Sequence, residues 1–190
     1  MPTSPDFQRS KSPLTTILLA ALTAGTLDAC GAMTHYMINS NGGNPLKVWR
    51  YVASGALGQD ALTKDLVTMA IIGILFHFLI AFLFTIFFFY IFPRIKILRK
   101  NLVVTGLLYG IFVWLVMNLI IVPFSNIPAR GKLWTMITNE QGKRHAILQL
   151  PSNPKQMIIG ILIIMFCVGL SISLIIGKYY SKKRGEPSRI

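Results

Sequence analysis

"LVTMAIIGILFHFLIAFLFTIFFFYIF", residues 66–92, carries no Asp, Glu, Lys or Arg, and His77 is its one titratable side chain apart from Tyr90. A helix rising ~1.5 Å per residue needs about 20 apolar residues to cross a ~30 Å hydrocarbon core. A soluble domain would have to cover such a run on every side, and this chain has little polar material to do it. Only 13% of its 190 residues are charged, against about 25% in soluble domains. Three further runs share the pattern, and we read spans at 14–38, 66–92, 102–124 and 157–177. These predict an all-α membrane protein: a four-transmembrane-helix bundle over 14–177, a short N-terminal segment, 1–13, and a basic tail, 178–190.

The net charge of +13 lies between and outside the apolar runs, where membrane proteins place Lys and Arg to set orientation. The short segment 93–101 carries Arg94, Lys96, Arg99 and Lys100 with no acid, and the tail adds Lys178, Lys182, Lys183, Arg184 and Arg189. With four spans, both termini and segment 93–101 share a side, which the positive charge assigns to the cytoplasm. The expected partners are the bilayer and, on that side, anionic lipid headgroups. No run combines basic residues with aromatics in the manner of a nucleic-acid-binding surface, so a nucleic-acid partner is not expected. The first run has one competitor. Arg9 and Lys11, then apolar residues, then "LDAC" at 27–30 loosely resemble a lipoprotein signal. Asp28 is foreign to that motif, and the apolar pattern continues to Ile38, beyond a 7–15-residue signal core.

Segment 39–65 opens with the turn cluster "NSNGGN", and Asn44–Pro45 is a good helix start. "PLKVWRYVASGALG" sets Leu46, Trp49, Val52, Ala53 and Ala56 along one side, with Lys47, Arg50 and Tyr51 nearer the other and Gly58 as a stop. This predicts a short external interfacial helix or one tucked against the bundle mouth, or else a stiff connector anchored by Trp49. In segment 125–156, two strand-like runs flank "NEQGK" and predict a small hairpin. His145 in it reads as a solvated side chain.

An acid at the centre of a span costs ~2.5–3.5 kcal/mol on insertion scales and is expected to face the bundle or a wet cavity. Asp28 is that acid. His35, seven residues on, returns to nearly the same direction. At ~1.5 Å per residue, Asp28 and His77 both fall about 3 Å to the outer side of the midplane, Asn118 roughly 7 Å and His35 roughly 13 Å. Level alone thus predicts an inward ladder of Asp28, His77, Asn118 and His35. Two readings of it stay open: a proton relay, or a buried polar pair that fixes helix register.

Sharper chemistry finds less support. Haem between His35 and His77 would need both rings at one depth, and they differ by roughly 10 Å on the same estimate. A di-metal carboxylate site needs several acids in the bundle, and only Asp28 is there. No Ser-His-Asp order, phosphate loop or HExxH is present, so neither an enzyme, a cofactor nor a metal is expected. Cys30 and Cys167 read as small buried hydrophobes. Gly25 and Gly31 in the first span, Gly106 and Gly110 of "GLLYG" and Gly169 read as helix-packing positions. The aromatic run 82–92 reads as a lipid-facing surface ending at Tyr90, with Tyr179 and Tyr180 marking the same boundary on the last span and Trp49 an anchor at the other side.

"FHFLIAFLFTIFFFYIFPRIK", 76–96, and "TGLLYGIFVWLVMNLIIVPFSNIP", 105–128, resemble the YagU-like family of uncharacterised bacterial inner-membrane proteins. The shared features are a His early in the second span, FP-x-I-K at its end, paired glycines in the third span, Met117, Pro123 and Pro128. The resemblance covers about half the chain and implies an inner-membrane location, a theme of acid resistance and a role for His77. Three functional classes follow. The first is a small integral membrane protein of acid or envelope-stress homeostasis with a proton path through Asp28 and His77. The second is an accessory subunit that docks on a larger membrane complex through its small-residue faces. The third is a small secondary transporter working as a homodimer, although its halves lack the inverted repeat common in that class.

Overall fold

The computed structural model describes residues 12–127, 133–138, 144–148 and 154–185. Expectations resting on 1–11, the NEQGK turn (139–143), Pro128 and Arg189 lie outside the described residues. Four helices are long and apolar enough to cross a membrane: α1 (Pro13–Asn39), α3 (Leu66–Ile91), α4 (Leu102–Phe124) and α5 (Pro154–Arg184). A shorter helix, α2 (Leu46–Leu57), stands between the first two. Two strands, β1 (Trp134–Thr138) and β2 (Arg144–Leu148), pair antiparallel with Trp134 opposite Leu148 and His145 opposite Ile137.

The helix starts follow from short polar side chains that satisfy the first free N–H groups. Ser12 accepts from the Thr15 N–H at 3.1 Å, with Pro13 in the first turn. An Asp65 oxygen accepts from the Thr68 N–H at 2.8 Å. Asn101 caps α4 through Val103 and Val104. Helix α5 continues past the expected boundary at 177, through Tyr179 and Tyr180, to Arg184. Lys182, Lys183 and Arg184 fill its last turn, the end where the helix dipole favours cations.

On α3, Ile71, Leu75, Leu79, Leu83 and Phe87 recur every four residues and are all exposed, a stripe suited to lipid rather than water. The opposite side of α3 corrects the expectation for the aromatic run. Phe88, Phe89 and Phe92 are buried, and with Leu102, Tyr109, Ile172 and Ile176, and Ile17, Ala20 and Ala24 of α1, they form the main core where all four long helices meet. Helical geometry explains this: an eleven-residue run of aromatics and aliphatics, broken only by Thr85, must point in every direction, so part of it turns inward. Tyr90 does lie outside, 58% exposed. Tyr179 and Tyr180 are half-buried against Phe89.

Glycines bring the backbones together. A Cβ on Gly169 would overlap the Gly106 carbonyl oxygen, and one on Gly110 would overlap the Met165 Cα. The α4–α5 seam is thus backbone against backbone, and it coincides with a π-helical stretch of α5, Ile164–Leu170. A second π-helical stretch, Met117–Ile121, lies in α4. Hydroxyls add to this packing: Ser173 Oγ donates to the Leu102 carbonyl at 2.7 Å across the α4–α5 seam, and Tyr109 donates to the Phe84 carbonyl at 2.7 Å, tying α4 to α3.

Helix α2 lies across α3, where Gly73 leaves room for the Trp49 carbonyl. The expected anchor Trp49 is corrected: it is 3% exposed, enclosed with Ala29 and Ala70. Its amphipathic helix has turned its apolar side onto α3 rather than outward, and Ala56, expected on that side, is exposed.

Candidate functional site

Gly25 makes the central contact between α1 and α3. A Cβ there would stand 2.8 Å from the ring of Phe78, so its absence lets α3 approach closely. His77, beside Phe78, then reaches across, and its Nε2 lies 2.9 Å from the Gly25 carbonyl oxygen. A carbonyl can only accept, so Nε2 carries the hydrogen and Nδ1 is the end left to exchange a proton. The ring is held edgewise by Trp49, with centroids 5.1 Å apart, and by Phe78 at 5.3 Å.

Asp28 follows Gly25 by less than one turn on α1 and is half-buried. It interacts electrostatically with His77, yet it makes no hydrogen bond or ion pair with a described residue. The carboxyl therefore stands beside an imidazole whose orientation is fixed by other groups. Cys167 on α5 also lies within electrostatic range of Asp28, which places the pair where α1, α3 and α5 approach one another.

The rest of the expected ladder is not assembled. Asn118 gives its amide to the Trp114 carbonyl of its own helix at 2.9 Å, inside the π-helical stretch. No hydrogen bond among the described residues links it to Asp28 or His77. His35 sits further along α1, at a separate feature. Its Nε2 is buried without a hydrogen-bond partner, and it lines a cavity of about 520 Å³ with Lys47, Arg50 and Tyr51 of α2. Of the four residues, Asp28 and His77 are the pair that interacts electrostatically. Asn118 is bonded within its own helix, and His35 lies about two turns from Asp28 along α1.

A groove of about 590 Å³ along the α1–α5 seam shares His35, Asn39 and Gln156 with that cavity and runs up to Cys30 and Cys167. Both cysteines are free thiols, and Cys30 is exposed, which corrects its expected burial. Cys30 lies on the side of α1 that borders this groove. Gly31 there meets Ile163, 2.7 Å from where its Cβ would be. No group of three or more His, Cys, Asp or Glu able to hold a metal occurs among the described residues.

Two participants escaped the sequence reading. Arg50 stood on the polar side of α2 with nothing to show that this side meets His35, and its Nε is also buried without a partner. Gln156 fell in a presumed loop, yet it begins α5 and donates to Asn39 Oδ1 at 2.9 Å, tying the two helix ends together. The signal available was the polar residue of "NPKQM" set directly before an apolar run. In comparisons with known proteins, no protein-family model, curated protein or solved structure matches the chain.

Proposed function

We propose that this chain is a small integral membrane protein whose α1, α3, α4 and α5 form a transmembrane bundle, and that Asp28 and His77 are its proton-exchanging pair. Both termini are cytoplasmic, on the strength of the positive segment 93–101 and the basic end of α5. Helix α2 then stands at the outer side, and the resemblance to YagU-like proteins suggests an inner-membrane setting and acid or envelope stress as the context.

The observation that carries the reading is the His77–Gly25 bond beside an unbonded Asp28. A pair kept only to fix register would be expected to satisfy itself, carboxylate to imidazole. Here the imidazole is anchored elsewhere and the carboxyl keeps its acceptors free for a proton. The accessory-subunit reading loses its main feature, because Gly106, Gly110 and Gly169 are consumed within the chain. The transporter reading would make the same pair its coupling site.

Proton flux in liposomes tests the proposal. Purified protein is reconstituted with an entrapped pH dye, an imposed pH gradient and a potassium–valinomycin clamp. Wild type should pass protons, Asp28→Asn should abolish the flux while folding normally, and His77→Gln, which can keep the donor to Gly25, should reduce it at least tenfold. Absence of flux in the wild type would overturn the relay and return the pair to a structural role.

A further inference from the structure

The cavity around His35 has a one-sided chemistry. Lys47, Arg50, His35 and Tyr51 contribute to its wall, and no Asp or Glu among the described residues does. Among the described residues the acids are Asp28, Asp60 and Asp65. Asp65 is committed to the start of α3, and neither Lys47 nor Arg50 forms an ion pair with a described residue. Two buried nitrogens at this wall, His35 Nε2 and Arg50 Nε, have no partner. Buried donors are normally satisfied, so a wall with two orphaned nitrogens and two uncompensated cations is prepared for an acceptor-rich, negatively charged group.

What adjoins the cavity narrows the ligand. At His35, Asn39 and Gln156 it continues into the α1–α5 groove, whose remaining lining is mostly apolar, with Leu27, Ile38, Ile159 and Ile163, alongside Lys155 and Thr34. Leu27 and Ile38 are exposed on the groove's outer side, where lipid chains would lie. Each space falls within the ~300–1,000 Å³ typical of small-molecule sites. A polar, basic chamber joined to an apolar furrow has the shape of an amphiphile.

We propose that this end of the molecule binds an anionic amphiphile: a phosphate-type headgroup among Lys47, Arg50 and His35, and an acyl chain along the α1–α5 groove. The site lies at the opposite end of the helices from the basic 93–101 segment, so it is distinct from general attraction to the cytoplasmic leaflet. It rests on the membrane reading above and is independent of the relay, so loss of proton flux would leave it standing.

The test uses the full chain, delipidated in a neutral detergent, with lipid binding counted by native mass spectrometry. The probes are dioleoyl phosphatidylglycerol, dioleoyl phosphatidylcholine and inorganic phosphate. Wild type should bind one phosphatidylglycerol at least tenfold more tightly than phosphatidylcholine, and millimolar phosphate should compete only weakly. Arg50→Gln should reduce that preference tenfold or more. Should this variant fail to fold, Lys47→Glu, on an exposed side chain, provides the same reading. Ile159→Trp, which fills the groove, should weaken both lipids alike. Equal binding of the two lipids, or a preference undiminished in Lys47→Glu, would overturn the proposal. Phosphate binding as tightly as the lipid would overturn the amphiphile and leave a soluble-anion site.

Discussion

At Gly73 any side chain would overlap the carbonyl oxygen of Trp49, and the neighbour is backbone, which cannot swing aside. Gly73→Ala must therefore lift α2 from α3, carrying Trp49 away from His77. Overpacking of this kind costs ~1–3 kcal/mol, and the expected result is a lower thermal midpoint in detergent. In a background with Trp114 and Trp134 replaced by Phe, the emission of Trp49 should also shift to longer wavelength. Gly160 supplies the contrast, since nothing lies within 4 Å of a Cβ placed there. Gly160→Ala should be neutral or should stabilise α5 by up to ~1 kcal/mol through helix propensity. The two glycines look alike in sequence, and only the position of α2 distinguishes them.

Among the elements, the four long helices were legible because hydropathy acts over twenty residues and needs no partner to express itself. Their starts, set from hydropathy alone, fall next to the caps Ser12, Asp65 and Asn101. The π-helical stretch at Ile164–Leu170 was not, because it depends on Gly169 meeting Gly106 and Gly110 across a seam. Asp65 allows a test of one such local rule. The Thr68 backbone N–H, then its hydroxyl, hold the Asp65 carboxyl below its ordinary value. A group depressed by folding stabilises the folded form above its unfolded pKa, about 3.9, and that support fades as pH falls through the lower folded value. Thr68 amide protection, read by hydrogen exchange, should thus be level from pH 7 to about pH 4 and drop below it. Asp65→Asn keeps a capping oxygen without the titration, and its profile should stay flat.

Across the whole molecule the two ends are built differently. Toward segment 93–101, Phe88, Phe92, Ile172 and Ile176 are fully enclosed, and Ser173, Tyr109 and Tyr180 tie helix to helix through backbone carbonyls. Toward the other end, α1, α2 and α5 part around the His35 cavity, with the Gln156–Asn39 bond spanning the gap. Of the candidate site, counting along antiparallel helices pointed to Asp28 and His77 as a pair, and the two interact electrostatically. It could not show which residues share a cavity, because that depends on rotation and on where α2 lies. Local opening free energies track such differences in enclosure. Amides of 84–92 and 170–178 should therefore exchange most slowly in a lipid nanodisc, and those of 33–51 and 154–160 should exchange faster by an order of magnitude or more. Hydrogen-exchange mass spectrometry on peptides from both ends measures this directly. Uniform exchange would mean that the cavity end closes in a bilayer; a gradient that phosphatidylglycerol flattens, and phosphatidylcholine does not, would mean that the open end is held by its ligand.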